Sequence, residues 1–202
     1  MSPKNIILPR VMKPEISQGQ RLFLSAGFEG FQIGLVSDAN AWISKEEQQG
    51  HIADQLSSAL GTIVDQCCFE TLTIFLLNGP GSTLGIRTLC AFVRTLLALN
   101  KVKPDQVFTC DHLHFAQACL VLREVSPLPH LCARINLTKT LCLIPSNELH
   151  PASEAEMEGA LWLPHPCLKD KNIFSFRLDE ILPLLHSSYP WQPDDHPDIV
   201  SY

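Results

Sequence analysis

The chain is predicted to be an α/β protein built on a mixed sheet, and three observations predict it. The first is a change of period: short β-type runs fill the region before His51, and helical spacing begins there. The second is the alternation of strand-like and helix-like segments that follows, which requires crossover connections and therefore parallel strands. The third is the stretch Asn78-Gly79-Pro80-Gly81-Ser82-Thr83-Leu84-Gly85, whose three glycines and one proline join an apolar run directly to a long apolar helix.

Taken in order, residues 1–20 carry Pro3, Pro9 and Pro14 among scattered charges and read as an N-terminal arm. Arg21–Ser25 and Gly30–Val36 are β-like runs and Ala39–Ser44 is a third, with the turn Ser37-Asp38-Ala39-Asn40 making a hairpin of the last two. From His51, the residues Ile52, Leu56, Ala59, Leu60, Ile63 and Val64 share one face of an amphipathic helix running to Gln66. Thr71–Leu77 reads as a buried strand, and Thr83–Leu99 as a helix with apolar residues around nearly its whole circumference. Such a helix must be covered on both sides, by the sheet on one and by the His51–Gln66 helix or another chain on the other. A strand Gln106–Thr109 and a helix Asp111–Arg123 complete a β-β-β-α-β-α-β-α lobe over residues 21–125.

Beyond Ser126 the pattern thins into a reduced second lobe and C-terminal tail, residues 126–202. Leu131–Ile135 and Leu141–Ile144 form a strand pair around Asn136-Leu137-Thr138. A short helix is expected at Ala152–Gly159 and a last one at Leu178–His186, and Asp194-Asp195-His196 falls in a Pro-rich, solvated tail.

Composition narrows the function classes. The 202 residues are 46% hydrophobic and 18% charged, enough for a substantial core, and a net charge of −6 argues against autonomous nucleic-acid binding. No membrane-length apolar run or secretory segment is seen. The eight cysteines lie mostly within apolar runs and form no Cys-x-x-Cys pair, so a reduced cytoplasmic setting is expected.

The Gly-rich turn offers backbone N–H groups at a helix N-terminus, as a phosphate cradle does. A P-loop, however, needs a Lys after its last Gly, whereas Ile86 and Arg87 follow Gly85. The simpler reading gives Gly81 and Gly85 a close-packing role and Ser82 a capping role. Cys110, Asp111, His112 and His114 are the densest group of potential ligands, but their place at a strand-to-helix turn makes Asp111 an N-cap, and no metal or cofactor is expected. Ser82 has no general base placed by a motif.

The nine-residue pattern Gly-Pro-Gly-Ser-x-x-Gly-x-Arg, Gly79–Arg87, resembles that of the TsaB (YeaZ) family at the same place after a buried strand. The order of elements over roughly residues 20 to 120 agrees with that family. The resemblance implies a ribonuclease-H-like lobe of the actin, sugar-kinase and chaperone ATPase superfamily. It further implies a partner subunit without catalytic activity of its own in tRNA threonylcarbamoyladenosine synthesis, dimerising with a TsaD-like catalytic subunit and joined by a TsaE-like ATPase. One departure stands out: the first strand ends in Ser25-Ala26-Gly27, where the family has Asp-Thr or Asp-Ser.

By this resemblance the partner interface comprises His51, Leu56, Ile63, Leu84, Arg87, Leu89, Val93 and Leu96 on the two helices, with Gly79, Pro80, Gly81, Ser82, Gly85 and Arg87 fixing the turn. The same helices could pair with their own copies. The alternative is a small nucleotide-dependent phosphotransferase or hydrolase using the Gly79–Arg87 loop as an anion site. The missing Asp, the missing Lys and the thin second lobe weigh against it.

Overall fold

The computed structural model describes residues 19–27, 30–49, 53–136, 138–168 and 171–198. His51 and the arm before Gly19 lie outside them. The strands are β1 (Arg21–Ala26), β2 (Gly30–Val36), β3 (Trp42–Gln49), β4 (Thr73–Leu77), β5 (Val107–Cys110), β6 (Leu131–Arg134), β7 (Thr140–Leu143), β8 (Leu149–Pro151), β9 (Leu161–Trp162) and β10 (Gln192–Pro193). The α-helices are α1 (Ala53–Val64), α2 (Thr83–Ala98), α3 (His112–Leu122), α4 (Glu154–Met157) and α5 (Leu178–Ile181).

A six-stranded sheet has the order β10-β5-β4-β1-β2-β3, and a four-stranded one the order β8-β7-β6-β9. In the first, β1, β2 and β3 form an antiparallel meander, while β4 pairs parallel to β1 and β5 parallel to β4. β1 and β4 are buried along their whole length, as expected of central strands covered on both faces. β3 is the opposite case. Its Trp-Ile-Ser-Lys-Glu-Glu-Gln-Gln sequence alternates half-buried and exposed residues, and its charges suit a sheet edge.

Period-2 alternation along the central strands sends their side chains into two cores. Leu22, Leu24, Ile74 and Leu76 meet Leu56, Leu60 and Ile63 of α1 and Ile86, Leu89, Val93 and Leu96 of α2. Phe23, Phe75 and Phe108 point the other way, into a cluster with α3, with Leu131 and Leu143 of the second sheet, and with Trp191. Trp191 lies edge-on to Phe75 with ring centroids 4.9 Å apart and donates its indole N–H to the Leu184 carbonyl at 2.8 Å. The two sheets therefore share one core, with α1 and α2 on the outer face of the first sheet and α3 plus the second sheet on its inner face.

Several boundaries differ from the sequence reading, each for a local reason. The third strand begins at Trp42, because Ser37–Ala41 is spent on a turn in which Ser37 N–H donates to Ala41 O at 2.8 Å, and it then runs on to Gln49. Phe69–Thr71 is a 3₁₀ turn, so the fourth strand starts at Thr73 rather than Thr71. The segment expected as a C-terminal helix is one α-helical turn, α5, followed by a 3₁₀ stretch Leu182–His186 that contains Pro183. The tail is not wholly solvated: β10 pairs antiparallel with β5, and Asp194 Oδ2 accepts a hydrogen bond from Thr109 Oγ1 at 3.1 Å. No helix among the described residues is long and apolar enough to cross a membrane.

Candidate functional site

The Gly-rich turn is a junction where four elements meet. Asn78 N–H donates to Cys110 O at 3.1 Å, and Gly79 O accepts the His112 N–H, so the end of β4 is stitched to the start of α3. Gly79 has φ 149°, a conformation that side chains rarely tolerate. Gly81 packs against β1 so closely that a Cβ would sit 2.6 Å from the Ala26 carbonyl oxygen. Ser82 caps α2, its Oγ accepting the Gly85 N–H at 3.3 Å, and Gly85 is buried while Arg87 is exposed. The motif thus fixes the angle at which α2 leaves the sheet.

Beside the turn lies a cleft of about 360 Å³ between the first sheet and the second half of the chain. Ser25, Phe31, Pro80, His112, Leu163 and Phe176 are among its lining residues. Ser25 and His112 form its polar floor: Ser25 Oγ lies 3.1 Å from His112 Nε2, and the two residues are 4% and 7% exposed. Burial pushes the His112 pKa down to about 4, against the smaller opposing effects of the Gly79 carbonyl and Asp111, so the ring is neutral at physiological pH. In the neutral ring one nitrogen donates and the other accepts, so the contact with Ser25 is an uncharged hydrogen bond. Among the described lining residues Glu47 is the one carboxylate and there is no Lys or Arg; the Glu47 Oε1 accepts the Leu178 N–H at 3.3 Å.

The ligand-rich group at the start of α3 is dispersed by this arrangement. Asp111 Oδ1 accepts the N–H groups of Leu113 at 2.9 Å and His114 at 3.0 Å, the cap expected from its position. Its other oxygen pairs with the His114 ring, while His112 turns away to Ser25. Burial disfavours charge on His114, yet the hydrogen bond and charge of Asp111 leave its pKa raised overall.

The residues expected at a partner interface divide sharply. Leu56, Ile63, Leu89 and Val93 are fully buried and Leu96 is 6% exposed, all between the helices and the sheet. Their work is to hold α1 and α2 on the sheet, which corrects the expectation that they face a partner. Leu84, 60% exposed, and Arg87 do face outward, and Leu99, 62% exposed, extends that surface to the far end of α2. The apolar spacing around the helix was visible in the sequence, but it cannot tell a face turned to the sheet from one turned outward.

A grouping that the sequence reading missed is Cys142, His150 and Glu156, whose ligand-type atoms all lie within 4.8 Å of one another. The three sit on β7, β8 and α4, at separations that match no short metal motif, so only strand register brings them together.

Comparison with known protein families gives no match, and comparison with curated proteins gives none. Solved structures do match. Against YeaZ from Pseudomonas aeruginosa the identity is 16% and the TM-score 0.45, over 67% of this chain and 64% of that one. An uncharacterized protein with similarity to peptidase YEAZ from Pseudomonas aeruginosa matches at 17% identity and TM-score 0.44, again over 67% and 64% of the two chains. The chain thus spans less than two thirds of the length of these structures.

Proposed function

We propose that the chain is a divergent TsaB-type partner subunit of tRNA threonylcarbamoyladenosine synthesis, dimerising with a TsaD-like catalytic subunit through the outer surface of α2, with a TsaE-like ATPase joining the assembly. The observation that carries this reading is the Gly79–Arg87 motif in its setting. It lies at the end of a central parallel strand, caps α2 through Ser82, and sends Arg87 and Leu84 outward at one end of that helix. The meander β1–β3 followed by parallel β4 and β5 supports a ribonuclease-H-like lobe.

The alternative, an anion site for a phosphotransferase, has less support. Pro80 has no N–H to offer, the Gly85 N–H is taken by Ser82 Oγ, and the described residues that line the adjoining cleft include no Lys or Arg.

The test is co-purification of the tagged chain from its own cells, with and without the substitutions Leu84→Glu and Arg87→Glu. Both positions are exposed, so the doubly substituted protein keeps its fold by circular dichroism. The expected result is recovery of a TsaD-like protein with the wild type and its loss with the double variant. Recovery of the chain alone from both preparations overturns the reading.

A further inference from the structure

The second sheet carries a cluster that the proposed scaffold role does not use. Cys132 stands directly opposite Cys142 across the β6–β7 pair, and Cys142 stands opposite His150 across β7–β8. Directly opposed residues share one face of a sheet, so two thiols and an imidazole form a row on the same side. Glu156, from α4, closes the group, with Oε1 2.7 Å from His150 Nε2.

Two further features favour a ligand set over a chance meeting. The Glu156 carboxylate is oriented from behind: its Oε2 accepts the Ser153 N–H at 2.9 Å and the Ser153 hydroxyl at 2.6 Å, leaving Oε1 turned toward the cluster. Support of this kind behind a carboxylate is what metal ligands ordinarily have. The wall is also graded. Cys132 and Cys142 are fully buried beside Trp162 and Ala160, whereas His150 and Glu156 are partly exposed and leave a way in.

From these observations we infer that Cys142, His150 and Glu156, with Cys132 as the fourth ligand, form a binding site for a tetrahedral divalent cation, Zn²⁺ by the chemistry of the donors. Thiolate and imidazole donors select a borderline-soft ion, and hard cations such as Mg²⁺ and Ca²⁺ prefer sites made of oxygen alone. The spacing fits as well. Metal–ligand bonds of about 2.0–2.3 Å at tetrahedral angles place ligand atoms about 3.3–3.8 Å apart. The ligand atoms of Cys142, His150 and Glu156, all within 4.8 Å of one another, reach that geometry when the 2.7 Å His150–Glu156 contact opens and the longer separations contract. The ion displaces the thiol protons and replaces the His150–Glu156 hydrogen bond, tying β6, β7, β8 and α4 together.

The experiment is titration of chelator-treated, thiol-reduced protein with Co²⁺, followed by competition with Zn²⁺. Expected are one Co²⁺ per chain, the intense visible absorption of a tetrahedral ion and a thiolate charge-transfer band, all removed by stoichiometric Zn²⁺. His150→Gln and Glu156→Gln, at the partly exposed rim, should each weaken Zn²⁺ binding by at least about tenfold, and Ser153→Ala by a similar factor through the freed carboxylate. Circular dichroism of the metal-free variants separates this effect from misfolding. Substoichiometric uptake, a weak octahedral spectrum without charge transfer, or unchanged affinity in His150→Gln would each overturn the site. An unchanged spectrum in Cys132→Ser would overturn the place given to the fourth ligand.

Discussion

Truncating Leu89 and Leu84 to alanine, one at a time, separates the buried face of helix α2 from its outer face. Leu89 is fully buried between α2 and the first sheet, and Leu84, five positions earlier, is 60% exposed. Leu→Ala removes three carbons, which at about 0.8 kcal/mol each is about 2.4 kcal/mol of lost transfer energy at a buried site. The residual cavity raises the cost to about 3–4 kcal/mol, because neighbouring side chains from β1 and β4 relax only in part. At Leu84 most of the side chain already meets water, and the cost should stay below about 1 kcal/mol. In urea, with an m-value of about 2 kcal/mol/M, Leu89→Ala lowers the unfolding midpoint by about 1.5–2 M and Leu84→Ala by less than about 0.5 M, at constant m. Equal shifts, or a Leu89→Ala shift below about 0.5 M, would refute the assignment of Leu89 to the core. Retention of a TsaD-like protein by Leu84→Glu together with Arg87→Glu would refute the docking role of the outer surface.

His112 should make stability depend on pH. Its folded-state pKa is pushed down to about 4 from an ordinary 6.5, so the unfolded chain binds the proton more readily, and the stabilisation present above pH 6.5 is lost as pH falls toward 4. The full loss is about 3 kcal/mol. His112→Gln should flatten the urea midpoint over that window, and parallel profiles for the two proteins would contradict the buried neutral ring. Two glycines should behave in opposite senses. A Cβ at Gly81 meets the Ala26 carbonyl, which cannot swing away, so Gly81→Ala should cost about 1–3 kcal/mol. Gly61, exposed on α1, has nothing within 4 Å of its Cβ position, and Gly61→Ala should stabilise by about 0.5–1 kcal/mol in a thermal melt.

The first half of the fold was legible because its signals are local. Period-2 runs, the switch to helical period, the Ser82 and Asp111 caps and the Gly-rich turn each act within one or two helical turns of chain, and each element they announce is present. The misplaced boundaries have short-range competitors: the Ser37–Ala41 turn and the 3₁₀ stretch at Phe69–Thr71 consume residues that could equally have been strand. What stayed hidden is long-range. Nothing near Gln192 shows that it pairs with Thr109, and nothing near Cys142 shows that His150 and Glu156 lie beside it. The Ser25–His112 pair joins residues 87 positions apart, and neither residue carries a motif of its own.

The end of β1 meets the cleft with an uncharged side chain. In the resembled family this strand ends in an aspartate, and here Ser25 takes that place at 4% exposure. A carboxylate there would need a cation or several donors to offset its desolvation. The described cleft-lining residues supply no Lys or Arg, and the imidazole among them, His112, is held neutral by its own burial. Serine meets the same position with an uncharged hydrogen bond to Nε2, and the cleft floor carries no charge at that point. The junction of β1, β4 and α3 is therefore held by hydrogen bonds and close packing around Gly81, a rigid base from which α2 projects Leu84 and Arg87 outward. The angle at which α2 leaves the sheet is set by Gly79, Gly81 and Ser82.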